Sequence, residues 1–202
     1  MNKNLTTTNQ NAKLALNKSK SLLDITNKLL SKKDIDTLVQ SFNFTPFVRE
    51  NGHSISVESV AISPDGKTIV SGSSDETIKI WDKQSGECLN TLYGHSYSVE
   101  SVAISPDGKT IVSGSYDNTI KIWDKQSGEC LNTLEGHSGY VSSVAISPDG
   151  KTIVSGSSDE TIKIWDKQSG ECLNTLYGHS YSVESVAISP DGKTIVSGSY
   201  DN

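Results

Sequence analysis

The chain has 202 residues, of which 18 are Lys or Arg and 24 are Asp or Glu, so its formal net charge is −6. Residues 1–51 carry eight basic against four acidic side chains and residues 52–202 carry ten against twenty, and an acidic region of this kind matches nucleic acid or an anionic membrane poorly. No apolar run approaches the roughly 18 residues of a membrane span, no secretory segment opens the chain, and the three cysteines form no CxxC pair, so we expect a cytoplasmic protein with reduced thiols and no zinc site.

Residues 1–43 are predicted to form a polar and amphipathic helical leader. The first eleven residues are polar and are expected to be disordered. Apolar side chains recur at helical spacing between Ala12 and Leu30, and Asp34 can cap a second short helix. Such helices pack on the remainder of the protein, offer a surface to a partner or a second copy, or lie on a membrane. The first helix lacks aromatic residues, which disfavours binding to a membrane surface.

From Gly52 onward the sequence repeats with a period of 42 residues, which is the separation of Gly52 from Gly94. Each copy opens with Gly-His, and the three complete copies contain a Trp-Asp pair, at Trp81, Trp123 and Trp165. A fixed period of about 20 to 50 residues indicates a repeat architecture. The copies occupy residues 52–93, 94–135, 136–177 and 178–202, the last being partial.

Each complete copy is predicted to form four short antiparallel strands, because apolar and β-branched residues alternate between segments rich in turn residues. In the second copy we place the strands at residues 99–104, 109–114, 119–123 and 130–134. Ser105-Pro106-Asp107-Gly108 lies between the first two and has the composition of a tight turn. A repeating unit of four such strands is typical of a propeller blade.

The Gly-His opening, the Ser-Pro-Asp-Gly turn and the Ile-Lys-Ile-Trp-Asp close resemble the WD-repeat (Trp-Asp repeat) β-propeller family over residues 52–202. The resemblance implies an all-β fold of WD-repeat β-propeller blades, three complete and a partial fourth, belonging to a larger ring and preceded by the short α-helical leader. It also implies a buried hydrogen-bond network in each blade. The matching residues are His53, Ser71, Asp75, Trp81, His95, Ser113, Asp117, Trp123, His137, Ser155, Asp159 and Trp165, and the partial copy supplies His179, Ser197 and Asp201.

Serine, histidine and aspartate also form catalytic triads, so an enzyme has to be weighed against a scaffold. Four evenly spaced copies are typical of a structural network, whereas an active site needs one copy in a cleft. A buried imidazole needs a partner on each nitrogen, and an indole N–H can only donate, which suits the structural role. The four histidines lie in different repeats, too far apart to share an ion. We expect no catalytic residues, no metal and no cofactor.

The copies differ at only six positions, which flank the entry to the first strand and the turn between the second and third strands. Both places lie at one end of a four-stranded meander, and in WD-repeat proteins that end most often holds ligands. Tyrosine, glutamate and serine there favour recognition of a protein or peptide, although neutral variation of exposed loops would leave the same pattern. The candidate contact residues are Ser56, Glu58, Tyr97, Ser98, Glu100, Tyr116, Tyr140 and Ser142.

Three complete blades and part of a fourth do not close a ring, because propellers have about four to eight blades. Residues 44–51 are a candidate ring-closing strand, although Pro46 restricts it to a sheet edge. Residues 59–118 and 143–202 are identical, which indicates a recent duplication. Three explanations are open: the chain is a fragment of a longer protein, two chains pair into one ring as a homodimer, or the array stays open.

The sequence therefore favours a non-enzymatic interaction scaffold that binds a protein or peptide, basic or neutral, on the variable loops. The alternative is a regulatory or sensor portion of a larger signalling protein whose effector domain is absent from this sequence. Neither interpretation involves nucleic acid or a membrane as the partner.

Overall fold

A computed structural model of the chain describes residues 52–201, which form short antiparallel β-strands without a helix. The predicted helical leader and the candidate strand at residues 44–51 lie outside the described residues. Three sheets of four strands and one sheet of two strands follow each other along the chain. The prediction of a four-stranded repeat is therefore confirmed.

Each sheet is a meander whose strands are neighbours in chain order. The first sheet contains β1 (Val57–Ile62), β2 (Thr68–Ser73), β3 (Ile78–Asp82) and β4 (Cys88–Leu92). The second contains β5 (Val99–Ile104), β6 (Thr110–Ser115), β7 (Ile120–Asp124) and β8 (Cys130–Leu134). The third contains β9 (Val141–Ile146), β10 (Thr152–Ser157), β11 (Ile162–Asp166) and β12 (Cys172–Leu176). The fourth contains β13 (Val183–Ile188) and β14 (Ile195–Ser199).

The first strand of each sheet contains a bulge that the alternation of apolar residues does not reveal. In β5 the register shifts between Val99 and Ser101. Val99 and Val102 are both buried, at 0% and 6% exposure. A bulge adds one residue to a strand and turns the following side chains, so these two valines reach the same face although they are three residues apart. Ile104, predicted to share a face with Val102, packs against the same core.

The hydrophobic core lies between neighbouring sheets. One face of the first sheet packs against the opposite face of the second, and equivalent clusters join the second sheet to the third and the third to the fourth. The first cluster consists of Val70, Ile78, Ile80, Leu92, Val99, Val102, Ile111 and Trp123. Each sheet is thus stabilised by its neighbours along the array, as in other repeat proteins.

Neighbouring sheets approach each other closely at a glycine in the second strand of each of the first three sheets. A Cβ atom on Gly114 would lie 2.6 Å from Val141 Cγ1 and 3.1 Å from Val144 Cγ1. Gly72 and Gly156 face the equivalent valine pairs at similar distances. A side chain at these positions would push the sheets apart, so the glycine and the two valines together set their spacing. We call this contact between successive sheets the joint.

Candidate functional site

The predicted network residues of the second sheet lie together. His95 Nδ1 is 2.7 Å from Asp117 Oδ2, and His95 Nε2 is 2.7 Å from Ser113 Oγ. Trp123 Nε1 donates a hydrogen bond of 2.8 Å to the same serine oxygen, and the rings of Trp123 and His95 meet edge to face at 5.9 Å. The network connects the segment before β5 with β6, β7 and the turn between them. It therefore fixes the order of the strands within one sheet.

The same contacts recur in the other sheets. The histidine Nδ1 lies 3.0 Å from the aspartate in the first sheet and 2.7 Å from it in the third and fourth. The histidine Nε2 lies 2.7–2.8 Å from the serine Oγ in all three. Trp81 and Trp165 donate to their serines at 2.8 Å. The residues joined in this way are His53, Ser71, Asp75 and Trp81, then His137, Ser155, Asp159 and Trp165, then His179, Ser197 and Asp201.

The serine hydroxyls of the complete networks are closed to a substrate. Ser113 and Ser155 are 0% exposed and Ser71 is 4% exposed. Each also accepts the indole N–H of its own sheet. A nucleophilic serine must reach the reacting atom of a substrate, which these buried hydroxyls cannot do. The arrangement supports a structural role for the Ser-His-Asp sets.

Burial and hydrogen bonding act in opposite directions on the ionisable groups of the network. Burial disfavours the ionised form of Asp117, but hydrogen bonds from His95 and Thr119 outweigh it and hold the pKa of Asp117 below its ordinary value of 3.8. Burial lowers the pKa of His137 below its ordinary value of 6.5, although the Asp159 carboxylate opposes the change. At neutral pH we therefore expect an ionised aspartate and, at His137, an uncharged imidazole.

Replacing Asp117 with asparagine is expected to lower the free energy of unfolding at pH 7, and to lower it less as the pH falls below 3.8. The pKa of Asp117 is lower in the folded chain than in the unfolded chain. Its contribution to stability is thus fully present above the unfolded value and is lost as the pH falls towards the folded value. Urea unfolding of both chains across this pH range measures the difference.

The control for this experiment is Glu129→Gln, which removes an exposed carboxylate from the loop before β8. We expect this variant to stay within about 0.5 kcal/mol of the wild type at every pH, as surface substitutions usually do. An Asp117→Asn deficit that remained unchanged at acid pH would show that the deficit comes from hydrogen bonds that the amide cannot make rather than from the charge.

The two variable segments of each sheet are hydrogen-bonded to each other. The segment before the first strand and the turn between the second and third strands share a backbone bond of 2.9–3.0 Å in all three complete sheets. The bonded pairs are Ser74 N with Ser56 O, Tyr116 N with Ser98 O, and Ser158 N with Tyr140 O. The varying residues therefore adjoin one another, and we call the surface that they form the variable face.

Two tyrosines of the variable face stack across the boundary between the second and third sheets. The rings of Tyr116 and Tyr140 have centroids 4.2 Å apart and planes 16° apart. Tyr116 remains 47% exposed. Partial burial, then Tyr140 and the Glu100 carboxylate, raise the pKa of Tyr116, and Glu184 adds to this effect. The stack is thus an accessible aromatic surface close to negative charge.

Hydroxyl groups orient two carboxylates where the first and second sheets meet. Ser74 Oγ donates to Glu58 Oε1 at 2.7 Å, and Ser98 Oγ donates to Glu100 Oε1 at 2.6 Å. The two serine oxygens are 3.2 Å apart. The contacts therefore link both glutamates into one polar group that spans two sheets.

The remaining candidate residues have different surroundings. Tyr97 is 61% exposed and Ser56 is also exposed. Ser142 Oγ instead lies 3.0 Å from the carbonyl oxygen of Gly156 and also contacts that of Val183. Those carbonyls belong to β10 and β13, so the structure places this hydroxyl in the joint between the third and fourth sheets, where it is not offered to a partner.

Two further residues belong to this surface but are absent from the sequence-based candidate set. Ser74 binds Glu58, and Glu184 lies close enough to Tyr116 to affect its pKa. Ser74 occupies the same repeat position as Tyr116, and Glu184 the same position as Glu58. Extending the candidate positions to every copy of the repeat would have included both.

The meander sheets, with a histidine–serine network in each and a tryptophan in the complete ones, define a tandem-repeat protein of the propeller-blade class. The family described as WD domain, G-beta repeat matches residues 44–82, 86–124, 128–166 and 170–202, and the chain belongs to this family. The match at 86–124 starts just before β4 and ends with β7, so it takes the outermost strand of one sheet together with the first three strands of the next.

Curated relatives resemble a short part of the chain. The ribosome biogenesis protein BOP1 homolog of Drosophila grimshawi is 40% identical over 65 residues, which is 32% of this chain and 8% of the relative. The ribosome biogenesis protein bop1 of Danio rerio is 38% identical over 69 residues, which is 34% of this chain and 8% of the relative. The alignments thus span 8% of the length of these relatives.

Neither relative's name supports the predicted cytoplasmic location, which stays a prediction. Within residues 52–201, no helix is long and apolar enough to cross a membrane.

Proposed function

We propose that this chain is a non-enzymatic scaffold that binds a basic segment of a protein or peptide across the variable face of its WD repeats. The observation that carries this proposal is the stacked pair Tyr116 and Tyr140, which joins two sheets and keeps Tyr116 47% exposed. Aromatic side chains offer a large and rigid contact area, and tyrosine is enriched among the residues that dominate binding energy at interfaces.

Charge favours a basic partner over a neutral one. Residues 52–202 carry ten basic and twenty acidic side chains. Glu100 and Glu184 both lie close enough to Tyr116 to raise its pKa. Glu58 and Glu100 are held in place by serine hydroxyls, so less conformational freedom is lost when they bind a lysine or arginine. Complementary charge of this kind speeds association and excludes acidic partners.

A scaffold role is also supported by the repetition of the network. The Ser-His-Asp contacts occur once in each sheet, and the serines of the complete sheets are buried. An enzyme would concentrate such groups in one accessible site. The relatives are named for ribosome biogenesis, and a scaffold inside a larger assembly would fit a role of that kind. That this chain acts in such an assembly is likewise a proposal.

The double variant Tyr116→Ala with Tyr140→Ala is expected to weaken peptide binding by at least about tenfold, which corresponds to about 1.4 kcal/mol. The probe is a set of fluorescent synthetic peptides of equal length, ranging from acidic to basic. We expect fluorescence anisotropy to show that the full chain binds the basic peptides most tightly.

The matched control is Leu131→Ala, which removes a 55% exposed apolar side chain from β8, the outermost strand of the sheet that carries Tyr116. This variant should bind like the wild type. Equal binding of acidic and basic peptides, or an unchanged affinity in the double tyrosine variant, would reject the variable face as the site.

A further inference from the structure

The residues that meet across a joint on the variable face differ in type between the first joint and the second. Ser98 Oγ lies 3.2 Å from Ser74 Oγ where the first and second sheets meet. Where the second and third sheets meet, the same two repeat positions hold Tyr140 and Tyr116, whose rings stack with centroids 4.2 Å apart. Both members of the pair differ together, as two hydroxyl groups in one joint and two aromatic rings in the next. The second joint therefore carries an aromatic surface that the first does not.

The glutamates of the variable face lie in the sheets on either side of the third. The second position of the first strand holds Glu100 in the second sheet and Glu184 in the fourth, and Ser142 in the third. β9, which contains Ser142, packs against both β5 and β13. A sheet without a carboxylate at this position therefore lies between two sheets that have one. Glu100 and Glu184 both lie close enough to Tyr116 to raise its pKa, so negative charge reaches the tyrosine stack from two sheets.

The surroundings of these two carboxylates favour a strong interaction with a cation. Ser98 Oγ donates to Glu100 Oε1 at 2.6 Å, which holds the side chain in one orientation. The two oxygens of a carboxylate offer about four lone-pair sites, so Glu100 can accept further hydrogen bonds. Glu100 and Glu184 are both half-buried, and salt screens partly buried charges less than exposed ones. A cation that lies on the tyrosine stack is therefore attracted by both glutamates.

The geometry of the two tyrosine rings restricts the kind of cation. Their planes are only 16° apart, so the pair offers a flat aromatic surface rather than an enclosure. Methylated ammonium groups are bound by aromatic rings that surround them, which two nearly parallel rings do not. A guanidinium group is planar, stacks on an aromatic ring and carries five N–H donors, whereas a lysine ammonium is a compact and strongly hydrated charge. The stack and its neighbouring carboxylates therefore suit arginine better than lysine.

We propose that the tyrosine stack binds the guanidinium group of an arginine in the basic segment, which stacks on the exposed part of Tyr116 and donates hydrogen bonds to Glu100. Glu184 contributes further negative charge from the fourth sheet. This inference rests on the proposed function, because it names the residue type that the variable face selects within a basic segment. Lysines of the same segment gain from the overall negative charge but not from the aromatic surface.

Fluorescence anisotropy with matched synthetic peptides tests the preference for arginine on the full chain. Two fluorescent peptides of equal length and equal charge carry either arginine or lysine at every basic position. We expect the wild type to bind the arginine peptide at least about fivefold more tightly, since stacking on an aromatic ring adds to the charge that both peptides share. A third peptide with trimethyllysine at these positions should bind no more tightly than the lysine peptide.

The double variant Tyr116→Ser with Tyr140→Ser copies the serine pair of the first joint into the second. Serine already occupies these positions in other sheets, so we expect the variant to fold, and circular dichroism checks this. Its affinities for the arginine and lysine peptides should lie within about twofold of each other, because the aromatic surface is gone. Glu100→Gln should weaken binding of the arginine peptide at least about threefold, whereas Glu129→Gln, which removes an exposed carboxylate from the loop before β8, should bind both peptides like the wild type.

The possible results distinguish this inference from the proposed function. If the wild type binds the arginine and lysine peptides equally and the double serine variant weakens both, the preference for arginine is wrong and the site for a basic segment stands. A preference for arginine that persists in the double serine variant would place the guanidinium group away from the stack and overturn the inference. Tighter binding of the trimethyllysine peptide than of the arginine peptide would also overturn it. Binding of none of the peptides would reject the inference and the proposed function together.

Discussion

Trp123→Ala is expected to lower the free energy of unfolding by about 3–5 kcal/mol, as truncation of a large buried aromatic side chain usually does. Trp123 is 1% exposed and packs with apolar residues of the first and second sheets. Its removal leaves a cavity at the joint. The substitution also takes away the indole N–H that binds Ser113 Oγ. The first loss weakens the contact between two neighbouring sheets, and the second weakens the network within the second sheet.

Urea unfolding with circular dichroism detection measures this loss, and two further variants identify its source. Trp123→Phe keeps an aromatic ring but removes the N–H donor, so it reports on the hydrogen bond, for which about 1 kcal/mol is typical, together with a smaller loss of packing. Leu131→Ala truncates a 55% exposed side chain and should change stability by no more than about 0.5 kcal/mol. A loss below about 1 kcal/mol for Trp123→Ala would contradict a core built between the sheets.

The arrangement of strands could be predicted because each signal for it lies within one repeat. Alternating β-branched residues mark the strands, and the Ser-Pro-Asp-Gly segment marks the first turn. In the second sheet, the second and third strands begin and end one residue later than the sequence predicts. They are Thr110–Ser115 and Ile120–Asp124. Ser115 and Asp124 have little intrinsic preference for strands, and backbone pairing with neighbouring strands includes them.

Features that depend on strand register or on the packing of two repeats could not be predicted in the same way. Alternation of apolar residues does not indicate the bulge in β5, so it does not predict the burial of Val99. The stacking of Tyr116 on Tyr140 joins different positions of different repeats, and only the packing of two sheets brings them together. Variation between the copies makes Ser142 a candidate contact for a partner, yet the packing of two sheets turns its hydroxyl towards Gly156 and Val183.

Gly114→Val is expected to lower the free energy of unfolding by about 1–3 kcal/mol, the usual cost of forcing extra atoms into a packed core. A Cβ atom at this position would lie 2.6 Å from Val141 Cγ1, which is too close for either side chain to remain in place. The φ angle of Gly114 is not positive, so valine fits the local backbone and suits a strand. The expected loss therefore comes from the joint alone.

Gly198→Val provides the matched comparison, because both glycines lie in the same Ile-Val-Ser-Gly-Ser sequence in the second strand of a sheet. Within the described residues, no atom lies within 4 Å of a Cβ at Gly198, so this variant should unfold within about 0.5 kcal/mol of the wild type. Both variants have to be measured at concentrations where the chains are monomeric, since association stabilises the folded state. Equal losses at the two sites would assign the effect to the strand itself. A loss confined to Gly114 would show that the neighbouring sheet requires glycine at this position.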